Sequence, residues 1–250
     1  MHTLECGGRE IQIFSGKTNI FRYFIERFIS ISVSAIREKG FCAVALSGGN
    51  TPALLYEAIA HENTIDWSAI HIFLADERLV PIESPMSNYK MIDEHLIQPG
   101  KIPPSHVHPV DITESAELSA KEYETEILDY FQLKKGGIPA FDIILLGLGN
   151  DGHTASLFPG ESLQHDDAQH IVTSASGGGM ERLTLTLGVL NNASHVFFLV
   201  TGKEKAAVVS KVIDNNDMTL PAARVRPLGG EPVFMLDEDA ASLLGAFHRG

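Results

Sequence analysis

Asp142-Ile143-Ile144-Leu145-Leu146-Gly147 runs straight into Leu148-Gly149-Asn150-Asp151-Gly152-His153. Four consecutive aliphatic residues put apolar groups on both faces of an extended strand. Such a strand needs helices packed on both sides of its sheet. The glycine-rich stretch that follows reads as a loop. Further strands are expected at Cys42 to Leu46, Ile70 to Ala75, His170 to Thr173, Leu183 to Leu187, His195 to Val200 and Val233 to Leu236.

Helical periodicity fills the intervals. Ile20, Phe21, Phe24, Ile25, Phe28, Ile29, Val33 and Ile36 form one broad apolar stripe, and Gly40 is placed to end that helix. Thr51-Pro52 reads as a capping hydroxyl followed by proline at the first helical position. Other helices are expected over Ser87 to Leu96, Glu114 to Leu133, Gly202 to Ile213 and Asp237 to Phe247. Gln98 to Pro104, Lys134 to Pro139 and Ser174 to Met180 read as loops, too short for interdomain linkers. Strands alternating with helices specify βαβ units. The expectation is one α/β domain over residues 1–250, a mostly parallel sheet flanked by helices with at most an appended lobe. A chain of 250 residues fits this, since a domain takes about 150 and α/β units often more.

Composition narrows the partners. Hydrophobic residues make up 44% of the chain, enough for a full core. Nineteen Lys and Arg against thirty-two Asp and Glu leave a net charge of −13, which disfavours nucleic acid and anionic membranes. A small anion held by a few focused cations remains compatible with that charge. Glu5, Arg9 and Glu10 interrupt any signal-peptide core, and Val196 to Val200 falls far short of a membrane span. Two cysteines, Cys6 and Cys42, are too few for a disulfide scaffold or a four-thiolate zinc site. Reduced thiols in a cytoplasmic protein are expected.

In open α/β sheets ligands bind beyond the carboxyl ends of the strands, so chemistry is sought there. Ser47-Gly48-Gly49-Asn50 joins a strand to a helix start. Its glycines, its hydroxyl and the helix amino terminus suit a phosphate, although a tight βα turn needs glycine as well. Asp76-Glu77-Arg78 follows the next strand and reads either as a structural ion pair or as a substrate contact. Asp151 and His153 sit two residues apart among Gly147, Gly149 and Gly152. A carboxylate beside an imidazole makes a general base, and exposed backbone N–H groups stabilise an oxyanion. For the isolated triplet, a helix-capping aspartate beside a solvent-facing histidine is the simpler account. Arg182 and Lys205 stand near strand ends, where uncompensated cations in an acidic chain point to an anionic ligand.

Several alternatives fail on spacing. Gly16-Lys17-Thr18 matches the end of a phosphate-binding loop, but Ile11 occupies the first glycine position. No G-x-S-x-G elbow and no G-x-G-x-x-G after the first strand are present. His106-x-His108 lacks an evident third ligand, so no metal is expected.

Taken together, Ser47 to Pro52, Asp76-Glu77-Arg78-x-Val80-Pro81, Ser87-Asn88-Tyr89, Gly147-x-Gly149-x-Asp151-Gly152-His153-Thr154-Ala155-Ser156-Leu157-Phe158-Pro159 and Arg182-x-Thr184-Leu185-Thr186 resemble the glucosamine-6-phosphate isomerase/6-phosphogluconolactonase family. The likeness continues through Gly202-x-x-Lys205-Ala206 and Pro221-Ala222-x-Arg224-Val225, nearly the whole chain. It implies a Rossmann-like domain of the glucosamine-6-phosphate deaminase-like type. It also implies hydrolysis of a 6-phosphosugar lactone in the pentose phosphate pathway. Deaminases of this family resemble the same loop but carry Asp-Glu-Tyr where Arg78 stands, and Ile-Ala-Phe-Asn-Glu-Pro in place of Thr154 to Pro159. The chain departs from the lactonase pattern at Phe234, where tryptophan is expected, and at Met180-Glu181.

Combined with the residue chemistry, the resemblance makes His153 the general base, Asp151 its orienting partner and Arg78 an aid to the oxyanion. Ser47, Gly48, Gly49, Asn50, Arg182 and Lys205 are expected at the phosphate. No metal or organic cofactor is called for, since an activated water suffices for a strained ester. The rival readings are a deaminase-like isomerase and a non-catalytic sugar-phosphate sensor.

Overall fold

The computed structural model describes residues 2–160 and 170–245. Eleven strands are β1 (His2–Glu5), β2 (Glu10–Phe14), β3 (Cys42–Leu46), β4 (Ile70–Leu74), β5 (Asp76–Arg78), β6 (Val107–His108), β7 (Ile143–Leu146), β8 (Val172–Gly177), β9 (Met180–Leu185), β10 (Val196–Val200) and β11 (Val233–Asp237). Eight form one sheet in the order β1-β2-β11-β10-β7-β3-β4-β6, and β5-β9-β8 form a second. Every pairing in the large sheet is parallel except β1 with β2, and the small sheet is antiparallel.

Period-two alternation divides each central strand between two apolar layers. Cys42, Val44 and Leu46 of β3, Ile143 and Leu145 of β7, and Phe197 and Leu199 of β10 join Ile20, Phe24 and Phe28 of the helix Lys17–Lys39. Ala43, Ala45, Ile144, Leu146, Val196, Phe198 and Val200 face the opposite layer, with Ile127 of the helix Ala116–Tyr130 and Val209 of the helix Ala206–Ile213. Burying each large aliphatic or aromatic side chain contributes about 1.5–3 kcal/mol, and both layers depend on it. Gly40 ends the first helix as expected, at φ +86, with its N–H donating to the Ile36 carbonyl. Among the described residues no helix is long and apolar enough to cross a membrane.

Several expectations need correction. Gly49, not Thr51, caps the helix Asn50–Ala60, without any side-chain hydrogen bond; the Thr51 hydroxyl meets that of Thr201 at 3.2 Å. Ser174 to Met180 is not a loop but a hairpin joining β8 to β9, closed at the Gly177 and Met180 pair. Its turn, Gly178 at φ +63 and Gly179 at φ +77, has the two positive angles of a tight hairpin whose twist matches its strands. The strand expected at Leu183 to Leu187 therefore starts earlier, and Leu187 opens a short helix, Leu187–Asn192. The last expected helix is the four-residue Glu238–Ala241, and residues 246 and 247 lie outside the described residues.

Beyond β4 the chain leaves the large sheet through Ala75. The Ala75 N–H donates to the Leu46 carbonyl (2.8 Å), and its own carbonyl accepts from Leu185 (2.9 Å). This crossing sets the small sheet over the carboxyl ends of the parallel strands.

Candidate active site

Beyond β3, β7 and β10, and beneath β5 and β9, lies a cleft of about 540 Å³. Ser47, Gly48, Arg78, Asp151, His153, Arg182 and Lys205 all line it, although they are spread over most of the chain. Gly49 and Asn50 do not; both are exposed at the start of the helix Asn50–Ala60.

The loop after β7 is held at both ends. The Thr154 hydroxyl donates to the Gly147 carbonyl (2.9 Å), the Gly149 N–H to the His153 carbonyl (2.8 Å) and the Gly152 N–H to the Gly149 carbonyl (3.0 Å). Gly152 takes φ +89 against Leu220, and its carbonyl accepts from the Ala222 N–H. Within this frame His153 Nδ1 lies 2.6 Å from Asp151 Oδ1, which also accepts the His153 backbone N–H at 3.1 Å. With Nδ1 so engaged, Nε2 is the nitrogen left for a proton transfer. Burial pushes the Asp151 carboxyl up, but the His153 backbone hydrogen bond and the nearby imidazole outweigh it and hold it below the usual range. Asp151 is therefore an anion facing an imidazole, the form that steadies a developing imidazolium. It does not cap a helix.

Arg78 and Arg182 stand directly opposite one another in the β5–β9 register. Like charges paired across strands are destabilising; the nearby Asp76 and Glu77 offset this in part, but no described carboxylate forms an ion pair with Arg78, Arg182 or Lys205. Each cation is tethered to a backbone carbonyl. Arg78 Nη1 donates to Met86 (2.7 Å), Arg182 Nε to Gly177 (3.2 Å) and Lys205 Nζ to Leu148 (2.8 Å). The structural ion pair weighed for Arg78 is thus not formed. Burial, then the Arg78 charge, lower the Arg182 guanidinium despite Asp76 and Glu77.

The two acids beside Arg78 have other duties. Glu77 accepts from the backbone N–H groups of Arg78, Asn88 and Tyr89 and from the Ser87 hydroxyl, fixing the start of the helix Asn88–Ile92. Burial raises its carboxyl, and those four donors pull it back. Asp76 lines the cleft with Oδ2 accepting from the Ser156 hydroxyl at 2.7 Å. Its carboxyl is raised by burial, restrained by Ser156, Arg78, Arg182 and His153. Asn88 also lines the cleft; Nδ2 donates to the Asp76 carbonyl (2.8 Å) and Oδ1 presses against Gly48, where any Cβ would collide with it. Tyr56 steadies the same turn by donating to the Ser47 carbonyl at 2.7 Å.

Three polar atoms in this wall are buried without a partner: Ser47 Oγ, Arg78 Nε and Asn88 Oδ1. Asp76 and Asn88 were not foreseen as site residues. Their signal was position, since Asp76 opens the strand that carries Arg78 and Asn88 opens the helix after it. Phe158, at the place where deaminases carry glutamate, packs its ring 4.8 Å from that of His153, and the Arg182 guanidinium lies 5.7 Å away.

At the far end of β4, His71 supplies a third imidazole near His106 and His108. Its Nδ1 is 3.1 Å from His108 Nε2, and its ring stacks on His106 at 4.3 Å. The outer nitrogens are occupied by Glu126 and by the Trp67 carbonyl. Among the described residues no group of three or more His, Cys, Asp or Glu side chains has the arrangement of a metal site.

Residues 16–234 match the family model described as glucosamine-6-phosphate isomerases/6-phosphogluconolactonase. The chain is 39% identical over 217 residues to a 6-phosphogluconolactonase of Synechocystis, covering 84% of this chain and 88% of that protein. It is 36% identical over 212 residues to the 6-phosphogluconolactonase of Rattus norvegicus, covering 82% of each. The crystal structure of 6-phosphogluconolactonase from Thermotoga maritima superposes with a TM-score of 0.79 at 33% identity, over 91% of this chain and 98% of that one. On sequence, fold and motif order alike, the chain belongs to the family of glucosamine-6-phosphate isomerases and 6-phosphogluconolactonases.

Proposed function

We propose that the protein hydrolyses 6-phospho-D-glucono-1,5-lactone to 6-phosphogluconate, in the oxidative branch of the pentose phosphate pathway. The observation that carries this is the set of three cations without ion pairs among the described residues, Arg78, Arg182 and Lys205, sharing one cleft with the Asp151–His153 pair. An anionic ester fits both halves of that arrangement.

In this reading His153 Nε2 takes a proton from water as its oxygen attacks the lactone carbonyl. Asp151 holds Nδ1 and balances the imidazolium. Arg78 and the N–H groups of the glycine loop receive the oxyanion. Collapse breaks the bond to the ring oxygen, which leaves with the proton from Nε2 and becomes a hydroxyl. General-base help is worth about 10² to 10⁴ in rate, and an oxyanion donor about 10² to 10³. Ser47, Gly48, Arg182 and Lys205 hold the phosphate, while Gly49 and Asn50 act through the turn and the helix amino terminus. Phe158 in place of a glutamate favours the lactonase over the deaminase. The free thiols Cys6 and Cys42 support a cytoplasmic setting, and the net charge of −13 speaks against nucleic acid as a partner.

Steady-state kinetics on the lactone beside glucosamine 6-phosphate test the proposal. Turnover of the lactone above its spontaneous rate is expected, with kcat of a folded His153→Ala variant lower by about 10² to 10⁴. Turnover of glucosamine 6-phosphate instead would identify an isomerase. Binding without turnover would identify a sensor, and an undiminished kcat in the variant would remove His153 as base.

A further inference from the structure

Phe158 is a large apolar side chain that joins neither apolar layer among the described residues. The chain delivers it to the cleft instead. After His153 a tight turn reverses the backbone, with Ala155 at φ +47 and the Leu157 N–H donating to the Thr154 carbonyl at 2.9 Å. Ser156 pins that turn, its hydroxyl donating to Asp76 (2.7 Å) and its N–H to the Thr184 hydroxyl (3.2 Å). The Phe158 ring thereby comes back onto the His153 imidazole, 4.8 Å between centroids and 47° between planes. The Arg182 guanidinium lies over the same ring at 5.7 Å. Gly177, beside the turn of the β8–β9 hairpin, serves both. Its carbonyl accepts from Arg182 Nε (3.2 Å), and a Cβ on it would lie 2.1 Å from Phe158 Cζ and 2.3 Å from Cε2. The ring reaches its place because that Cβ is absent.

We propose that Phe158 is a positioning residue that acts on both halves of the site, through His153 on turnover and through Arg182 on phosphate binding. This rests on the lactonase reading and deepens it. Packed against the imidazole, the ring limits how far His153 swings about its hydrogen bond to Asp151, so Nε2 keeps one aim. Its face attracts the guanidinium without neutralising it. A carboxylate in the same place would form a charge-assisted pair with Arg182 and cancel the charge that draws the phosphate. An apolar ring holds the base and the cation together and leaves both free to work.

Steady-state kinetics on 6-phosphogluconolactone with Phe158→Leu and Gly177→Ala test this. Leucine keeps an apolar side chain but has no ring face. It should lower kcat by about tenfold, as the base loses its aim, and raise KM by about threefold to tenfold, the value of a partly desolvated cation–π contact. Gly177 does not have a left-handed backbone, so alanine fits the chain there. Ordinary contact begins near 3.4 Å, so its methyl displaces the ring by about 1.3 Å and should lower kcat similarly with Phe158 itself unchanged. In an Arg182→Ala background, Phe158→Leu should still lower kcat by about tenfold but change KM by less than about twofold, since the partner is already gone. A ring with a merely structural role would not separate the two constants in this way. A kcat within about threefold of the parent in either folded variant overturns the proposal, as does a KM rise that persists undiminished without Arg182. Should Phe158→Leu fail to fold, Gly177→Ala decides alone. Failure of the lactonase reading is distinct, since the parent protein itself would then not turn over the lactone above its spontaneous rate.

Discussion

Gly149→Ala tests the proposed base with a single methyl group. Gly149 does not have a left-handed backbone, so alanine fits the chain without torsional strain. Its Cβ, however, would lie 2.1 Å from His153 Nδ1, 2.2 Å from Cε1 and 2.6 Å from Asp151 Oδ1. Ordinary contact begins near 3.4 Å, so the imidazole must retreat by about 1.3 Å. The pair whose geometry defines the base is therefore prised apart. A displacement of about 1 Å at a catalytic group lowers rates by about 10²-fold, and complete loss of base catalysis sets the limit near 10⁴. The side chains that move are substantially exposed, 32% for His153 and 53% for Asp151. Stability should accordingly change by less than about 1 kcal/mol. Initial rates of lactone hydrolysis, corrected for the spontaneous reaction, should show kcat lower by about 10² to 10⁴ with KM nearly unchanged. A kcat within threefold of the parent, with a crystal structure showing the ring displaced, would refute His153 as base.

The cations should separate by kinetic signature: Arg182→Ala and Lys205→Ala should each raise KM more than they lower kcat, and a pure kcat loss would place that residue at the reacting carbonyl instead. Phe234 is fully buried and stacks on Phe198 at 4.3 Å and 6°, so Phe234→Ala should lose about 3–5 kcal/mol in urea unfolding; a loss below 1 kcal/mol would mean that the layer collapses around it. Burial, followed by the charges of His106 and His108, lowers His71 from 6.5 to about 4. The folded state thus binds fewer protons than the unfolded one, and stability should fall as pH drops from 6.5 towards 4, then level off. The full separation corresponds to about 3 kcal/mol, which partial exposure of the ring reduces to on the order of 1–2 kcal/mol. Unfolding midpoints at pH 7 and pH 4.5 should differ less in His71→Phe than in the parent, and an equal pH response in the two proteins would contradict this.

Legibility in the sequence followed unbroken apolar runs: β2 is buried as well, but Glu10 and Gln12 interrupt it and nothing announced a strand there. β3, β4, β7, β10 and β11 lie within a residue or two of the runs that announced them, because a strand covered on both faces must be apolar throughout. β5 gave no such signal. Asp76-Glu77-Arg78 has poor strand propensity, and only its ladder with β9 holds it extended. β1 is exposed along most of its length and pairs with a single neighbour, and β6 is two residues long, so neither has an apolar signature. The hairpin of β8 and β9 was missed for a different reason. Ser, Thr, Ala and Gly make a weak strand, yet Gly178-Gly179 is the very dipeptide that a two-residue hairpin turn prefers. There the turn chemistry outweighs the propensity of the strand that leads into it.

The site was legible because of where parallel strands end, not because of any one motif. Ser47, Arg78, His153, Arg182 and Lys205 could be picked out singly, each with an unremarkable alternative beside it. Their convergence on one cleft depends on sheet order, which no single motif carries. The clearest case is Arg78. Next to Asp76 and Glu77 in sequence, it reads as one member of an ion pair. Alternation along β5 turns Glu77 to the opposite face, while Asp76 shares the face of Arg78 and attracts it without forming an ion-pair contact. Glu77 turns towards the helix Asn88–Ile92 and is consumed by four donors. Asp76 turns into the cleft and is held by Ser156. Arg78 is left with one carbonyl, an unpartnered Nε and Arg182 across the ladder. Arg78 is thus kept without an ion-pair contact among the described residues, facing Arg182, in the cleft where the proposed anionic substrate would sit.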